Sequence, residues 1–228
     1  MAGLGKFEQA IDKAFNILGE LGETFPSDVT PELIFAELKS TRTLLNNYSK
    51  DEIAAAPKMT DMNKIWCLKF MNIITTYLFA ARPSYLPLVS CRMVQLLIKH
   101  GFCSDSVAGL LLYSHTVISI LQDIEEGYTW GNFAHALINN SDEKYVAPKL
   151  KLYFHYSISF WVEPIQATFS ILRHTYKEAL VAGHVESATI CSIGYIEKSL
   201  LCGAKLSILE EECASFASKT ERVRSFDA

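Results

Sequence analysis

Apolar side chains recur at every third or fourth position along almost the whole chain, as in Phe7, Ala10, Ile11, Ala14, Phe15, Leu18 and Leu21. That spacing gathers side chains onto one face of an α-helix. No alternating apolar and polar run bounded by hairpin turns interrupts it, so the chain is expected to be all-α. Helix starts are legible. Thr30-Pro31-Glu32 sets a cap before a first-turn proline, and Ser49-Lys50-Asp51-Glu52 has the form of a capping box. Thr60-Asp61, Ser104-Asp105, Ser141-Asp142-Glu143 and Glu163-Pro164 mark further starts. Gly22, Gly101, Gly183 and Gly203 each follow an apolar helical stretch, where a left-handed residue closes a helix.

These signals predict helices over 6–21, 31–47, 50–56, 61–80, 84–100, 105–121, 123–140, 143–161, 164–182, 185–202 and 205–219. The connections are short, so successive helices are expected to form antiparallel hairpins. Every second helix begins near 84, 123, 164 and 205, and the alternate set begins near 61, 105, 143 and 185. Both sets repeat at about forty residues, one helical hairpin per repeat. Leu97-Ile98, Leu137-Ile138 and Leu180-Val181 recur near the ends of three consecutive second helices. A hairpin exposes apolar surface on both flanks and is stabilised by stacking on its neighbours. The expected architecture is an α-solenoid of stacked antiparallel helical hairpins, similar to tetratricopeptide repeats, forming one domain over 1–228. Gly127, Gly131 and Ala134 place small side chains on one helix face, as close hairpin packing requires.

Composition narrows the class. Of 228 residues, 50% are hydrophobic and 20% charged, with 11 Gly and 7 Pro, which excludes a disordered, collagenous or disulfide-stapled chain. A net charge of −4 with thinly spread Lys and Arg offers no basic stripe for a phosphate backbone, so no nucleic-acid partner is expected. Ser106 to Gln122 carries no charge and reaches the lower edge of a membrane span. Ser114, His115 and Ser119 interrupt it, and its flanks are acidic, so it reads as a buried core helix and no membrane partner is expected. Lys6, Glu8, Asp12 and Lys13 break the first apolar pattern, which leaves no signal-peptide core and points to the cytosol or nucleus, with the cytoplasm as the expected location. Cys67, Cys91, Cys103, Cys191, Cys202 and Cys213 are far apart and read as reduced core residues. The sequon at Asn139-Asn140-Ser141 has no consequence in such a compartment.

Several short motifs carry a resemblance. Gly183-His184-Val185-Glu186-Ser187-Ala188, Tyr195, Leu201-Cys202-Gly203-Ala204-Lys205-Leu206 and Glu210 to Glu212 look like a pattern in a family of large signalling proteins. Those proteins join a serine/threonine kinase-like domain, a P-loop ATPase domain, a long tetratricopeptide-like helical region and often GAF and histidine-kinase domains. Leu44-Leu45, Met59-Thr60-Asp61, Met93-Val94, Lys99-His100-Gly101, Ser104 to Ala108 and Glu126-Gly127-Tyr128 resemble segments of that helical region in order. The resemblance runs from about Phe7 to Phe216 and covers the helical region alone. Gly183-His184 stands where the family usually has Gly-Asp, and no kinase, ATPase or histidine-kinase segment is present. The resemblance therefore implies a helical module, a fragment or part of a larger signalling protein, without catalytic activity.

The residues agree. Gly3-Leu4-Gly5-Lys6 lacks the spacing of a phosphate loop, no His-Glu-x-x-His occurs, and His184-Val185-Glu186 is followed by no Pro-Cys-x-x-Cys. His100, His115, His135, His155, His174 and His184 are scattered, and His155 among Tyr153, Phe154 and Tyr156 reads as an interior histidine. No cofactor or metal is expected. Trp66, Trp130 and Trp161 lie in three different hairpins and read mainly as inter-repeat core. Tyr128 and Trp130 are two residues apart and cannot share a helix face, and Trp130 is the candidate for an exposed partner contact. Glu210, Glu211 and Glu212 form an acidic cluster that could meet a basic partner protein.

Two readings follow. The first is a non-catalytic interaction scaffold that binds protein partners or neighbouring domains. The second, motivated by the aromatics and histidines, is a small-ligand sensor or enzyme with a cavity between helices. The first helix resembles a second hairpin helix without its mate, so its apolar face is expected to be bare and to be completed by an upstream helix of a longer protein or by self-association.

Overall fold

The computed structural model describes residues 2–139 and 147–226. Eleven α-helices follow one another among them: α1 Ala2–Glu20, α2 Pro31–Leu45, α3 Lys50–Ala54, α4 Met62–Ala81, α5 Leu86–His100, α6 Ser104–Thr116, α7 Ile124–Asn139, α8 Ala147–Ser157, α9 Ala167–Val181, α10 Val185–Leu201 and α11 Leu206–Phe226. No strand occurs among the described residues, and the all-α expectation holds. The expected start at Ser141-Asp142-Glu143, and the sequon residues Asn140 and Ser141, lie outside the described residues.

Local chemistry sets the ends. Thr30 Oγ1 accepts from the Leu33 amide at 3.3 Å, and Asp61 Oδ1 accepts from Asn63 at 3.0 Å and Lys64 at 3.3 Å. Ser49 and Glu52 complete a reciprocal capping box, with Ser49 N donating to Glu52 Oε2 at 2.7 Å. Gly22, Gly101, Gly183 and Gly203 all adopt positive φ, the conformation that lets a chain leave a helix without a Cβ clash. At Gly101 a second constraint acts: a Cβ would lie 2.2 Å from the Pro57 carbonyl oxygen. That carbonyl accepts from Phe102 N, and Met59 N donates to Phe102 O, both at 2.8 Å.

Differences from the expected spans have identifiable causes. The helix expected over 105–121 stays α-helical only to Thr116 and then widens into a π-helical turn, Val117–Leu121, closed by Gln122 at φ 55°. Ser114 Oγ there donates to the carbonyl of Gly127, and Thr116 Oγ1 to that of Leu112, so side chains engage backbone carbonyls beside the turn. The helix expected from 164 begins at Ala167, because Pro164 sits in a turn whose carbonyl accepts from Ala167 N at 2.9 Å. The last helix runs on to Phe226 instead of stopping at 219, since no Gly or Pro occurs from Lys205 to Phe226.

Where the sequence reading has one array, the helices gather into two compact units, residues 1–134 and 135–228. In the first unit, α5 and α6 form a tight hairpin, α2 lies on α5, and α1 lies on α4. Leu68, Met71 and Leu78 of α4, Met93 and Leu97 of α5 and Leu110 of α6 are almost wholly removed from water, each contributing about 2 kcal/mol of transfer free energy. A buried carboxylate, Glu23, binds Lys64 at 2.7 Å and Arg92 at 2.5 Å, joining the α1–α2 connection to α4 and α5. Arg42 of α2 reaches Asp123 at 2.6 Å and also bonds Glu126. The apolar stretch Ser104–Leu121 is long and apolar enough to cross a membrane, yet 67% of it is buried inside the protein.

The expected bare face on α1 needs correction. Ile11, Ala14 and Leu18 are buried, Phe7 stacks on Tyr77 at 5.3 Å, and Phe15 lies 5.1 Å from both Phe25 and Tyr85. The apolar stripe of α1 is thus covered by α4, the α1–α2 connection and Tyr85, whereas α4 itself keeps Met62, Trp66 and Ile73 exposed.

In the second unit, α8, α9, α10 and α11 pack in sequence, with α10 touching α8, α9 and α11. Leu152, Leu172, Tyr176, Ala179, Ala188 and Cys191 form its core.

Candidate interaction surface

Trp130, expected from the sequence as an exposed partner contact, is a core residue. Trp130 is 8% exposed, edge-on to Phe133 at 6.0 Å, with the Lys50 ammonium 5.6 Å above its ring. The reason is helical spacing: Gly127, Trp130, Gly131 and Ala134 fall at i, i+3, i+4 and i+7, and all four are buried. The small-residue stripe that the sequence reading placed in the core carries Trp130 with it, while Tyr128 is only half-buried. Glu210 and Glu211 are exposed on α11, but Glu212 turns inward to Arg173 at 2.8 Å, so the three carboxylates do not act as one cluster.

Uncovered apolar surface lies on α4. Its inner side carries Cys67, Leu68, Met71, Ile74 and Leu78, all buried. Its outer side carries Met62, Trp66 and Ile73, 59%, 44% and 48% exposed, with Lys69 between them. Positions 62, 66, 69 and 73 follow the four-three-four spacing of a seam that packs along another helix, over about 16 Å. The Trp66 ring is held in place by Phe70 at 6.3 Å and by the Lys69 ammonium 4.9 Å above it. A signal for this surface stands in the sequence: α4 is apolar all round, as an element covered on both sides is. The sequence reading of Trp66 as inter-repeat core differs from this, because residue type alone does not say which of two apolar sides of a helix finds cover.

The second unit holds the other group that invites a chemical reading. His135 stacks on Phe154 at 4.4 Å and meets His155 edge-on at 4.9 Å. Burial pushes His155 down to about 4, assisted by the charges of His135, Lys151 and Lys198. Lys198 is 5% exposed and sits 3.8 Å above the Phe160 ring, and burial lowers its pKa too. His155 Nδ1 has no hydrogen-bond partner among the described residues. The cluster is a buried, aromatic-walled interior. Among the described residues no group of three or more His, Cys, Asp or Glu is placed to hold a metal ion.

The chain matches no protein-family model, no curated protein and no solved structure.

Proposed function

We propose that this chain is a non-catalytic helical-repeat scaffold of the cytoplasm, an arm that holds protein partners or the neighbouring domains of a signalling kinase or ATPase. The observation that carries the reading is the exposed Met62-Trp66-Ile73 seam on α4, since exposed Trp on a fixed helix is the side chain most enriched among binding hot spots. Support comes from the helix starts at Leu86, Ile124, Ala167 and Leu206, which keep a spacing of about forty residues, and from the resemblance to a tetratricopeptide-like signalling region.

The test uses a photocrosslinking residue at Met62, with one at exposed Glu125 as control. The scaffold reading expects one discrete partner captured from position 62 alone, and its loss in Trp66→Ala. Equal capture from both positions, or magnesium-dependent ATP turnover that persists through stringent purification, would overturn it.

A further inference from the structure

The second unit repeats one packing step. Gly194 of α10 seats between Tyr156 of α8 and Leu172 of α9, where a Cβ would lie 2.5 Å and 3.8 Å from their side chains. Phe216 of α11 then seats between Tyr176 of α9 and Tyr195 of α10, at ring distances of 4.8 Å and 5.8 Å. Each helix therefore fills the groove left by the two before it. Among the described residues the next groove, between α10 and α11, is uncovered: its volume is about 390 Å³ and its walls include Ile193, Ile196, Phe216 and Ala217.

Among the residues whose side chains are described, the charged ones lining it are Glu197 and Glu221. Exposed Glu186 and Glu210 extend the same two helix faces, each three turns from the lining glutamate on its own helix. Two copies of this face would set these carboxylates against each other, which disfavours a second copy as occupant.

We infer that the α10–α11 groove docks a basic amphipathic helix of a partner protein, its small and aliphatic ridge continuing the packing of α10 and α11 and its Lys or Arg flanks meeting Glu197 and Glu221. This rests on the scaffold reading and adds a partner chemistry to it. Glu210, from the acidic cluster read in the sequence, precedes the lining residue Cys213 by three positions on the same face of α11, whereas Glu212 faces Arg173.

Cys213, exposed on the groove wall, is a native probe. Two synthetic helical peptides as long as α10, 17 residues, share one Leu/Ala ridge and differ only in Lys or Glu flanks. The Lys peptide, at ten times its Kd, is expected to slow alkylation of Cys213 roughly tenfold. Added salt should weaken that protection. The Glu peptide is expected to leave the rate unchanged, and Glu197→Lys with Glu221→Lys to reverse the preference. Ile193→Asp, at an exposed position, should abolish protection without unfolding the chain. Equal protection by both peptides, or by neither, overturns the proposal, as does a dimer in sedimentation that Ile193→Asp dissociates. Partner capture from position 62 that survives such a failure leaves the scaffold standing and removes only the groove.

Discussion

Gly194 presents its α-carbon to the ring of Tyr156 so closely that an added Cβ would lie 2.5 Å from Cδ2 and 2.8 Å from Cε2. The ring has little room to retreat, because its hydroxyl donates to Glu197 at 3.1 Å and Lys198 lies 5.8 Å from its centroid. Gly194→Ala is therefore expected to cost about 1–3 kcal/mol by overpacking. Gly183→Val is a contrasting case: φ is +76° and nothing lies within 4 Å of the missing Cβ, so only the backbone conformation resists, by about 1–2 kcal/mol. Denaturant midpoints of the two variants measure both. An unchanged midpoint for Gly194→Ala would mean that α8 and α10 do not approach this closely.

Burial acts to raise the Glu23 pKa, but hydrogen bonds and charges from Lys64 and Arg92 outweigh it and hold the carboxyl below its ordinary range. A depressed folded pKa contributes stability that is present above the unfolded value and lost as pH falls through the folded one. Acid weakening from this group belongs below about pH 4.3, the ordinary glutamate value. Glu23→Gln should cost roughly 2 kcal/mol at neutral pH, since it strands two cations. It should also flatten the stability curve in that acid window, which equilibrium unfolding across pH reads directly.

His155 acts in a higher window. Its folded pKa is pushed to about 4, so between that value and about 6.5 the unfolded chain binds a proton that the folded chain excludes. Stability falls as pH drops through this range, by up to roughly 3 kcal/mol at the acid end. His155→Leu should remove that slope while leaving the Glu23 window intact. A wild-type curve flat from pH 6.5 to 4.5 would show that the imidazole stays hydrated.

Thiol reactivity should sort by position. Burial pushes Cys67 and Cys91 up to about 11 and Cys191 up to about 12, whereas Cys213 is exposed. The thiolate is the nucleophile, so native alkylation should reach Cys213 first and the three buried thiols only on unfolding. Peptide mapping after brief labelling decides it, and early modification of Cys191 would contradict the core of the second unit.

The sequence by itself determined the helices. Three-to-four spacing, the caps at Thr30, Ser49 and Asp61, and glycine stops at 22, 101, 183 and 203 are local signals, written within one turn of the backbone they control. Burial was legible where a stripe was followed through, and Trp130 shows the cost of stopping short, because its i+3 relation to Gly127 already placed it inside. What only the tertiary structure decided is which apolar faces find cover. The stripe of α1 is covered by α4, the outer side of α4 stays in water, and Glu212 leaves its acidic neighbours for Arg173. Those outcomes depend on contacts between residues tens of positions apart, and residue type at a single position carries no record of which distant helix arrives against it.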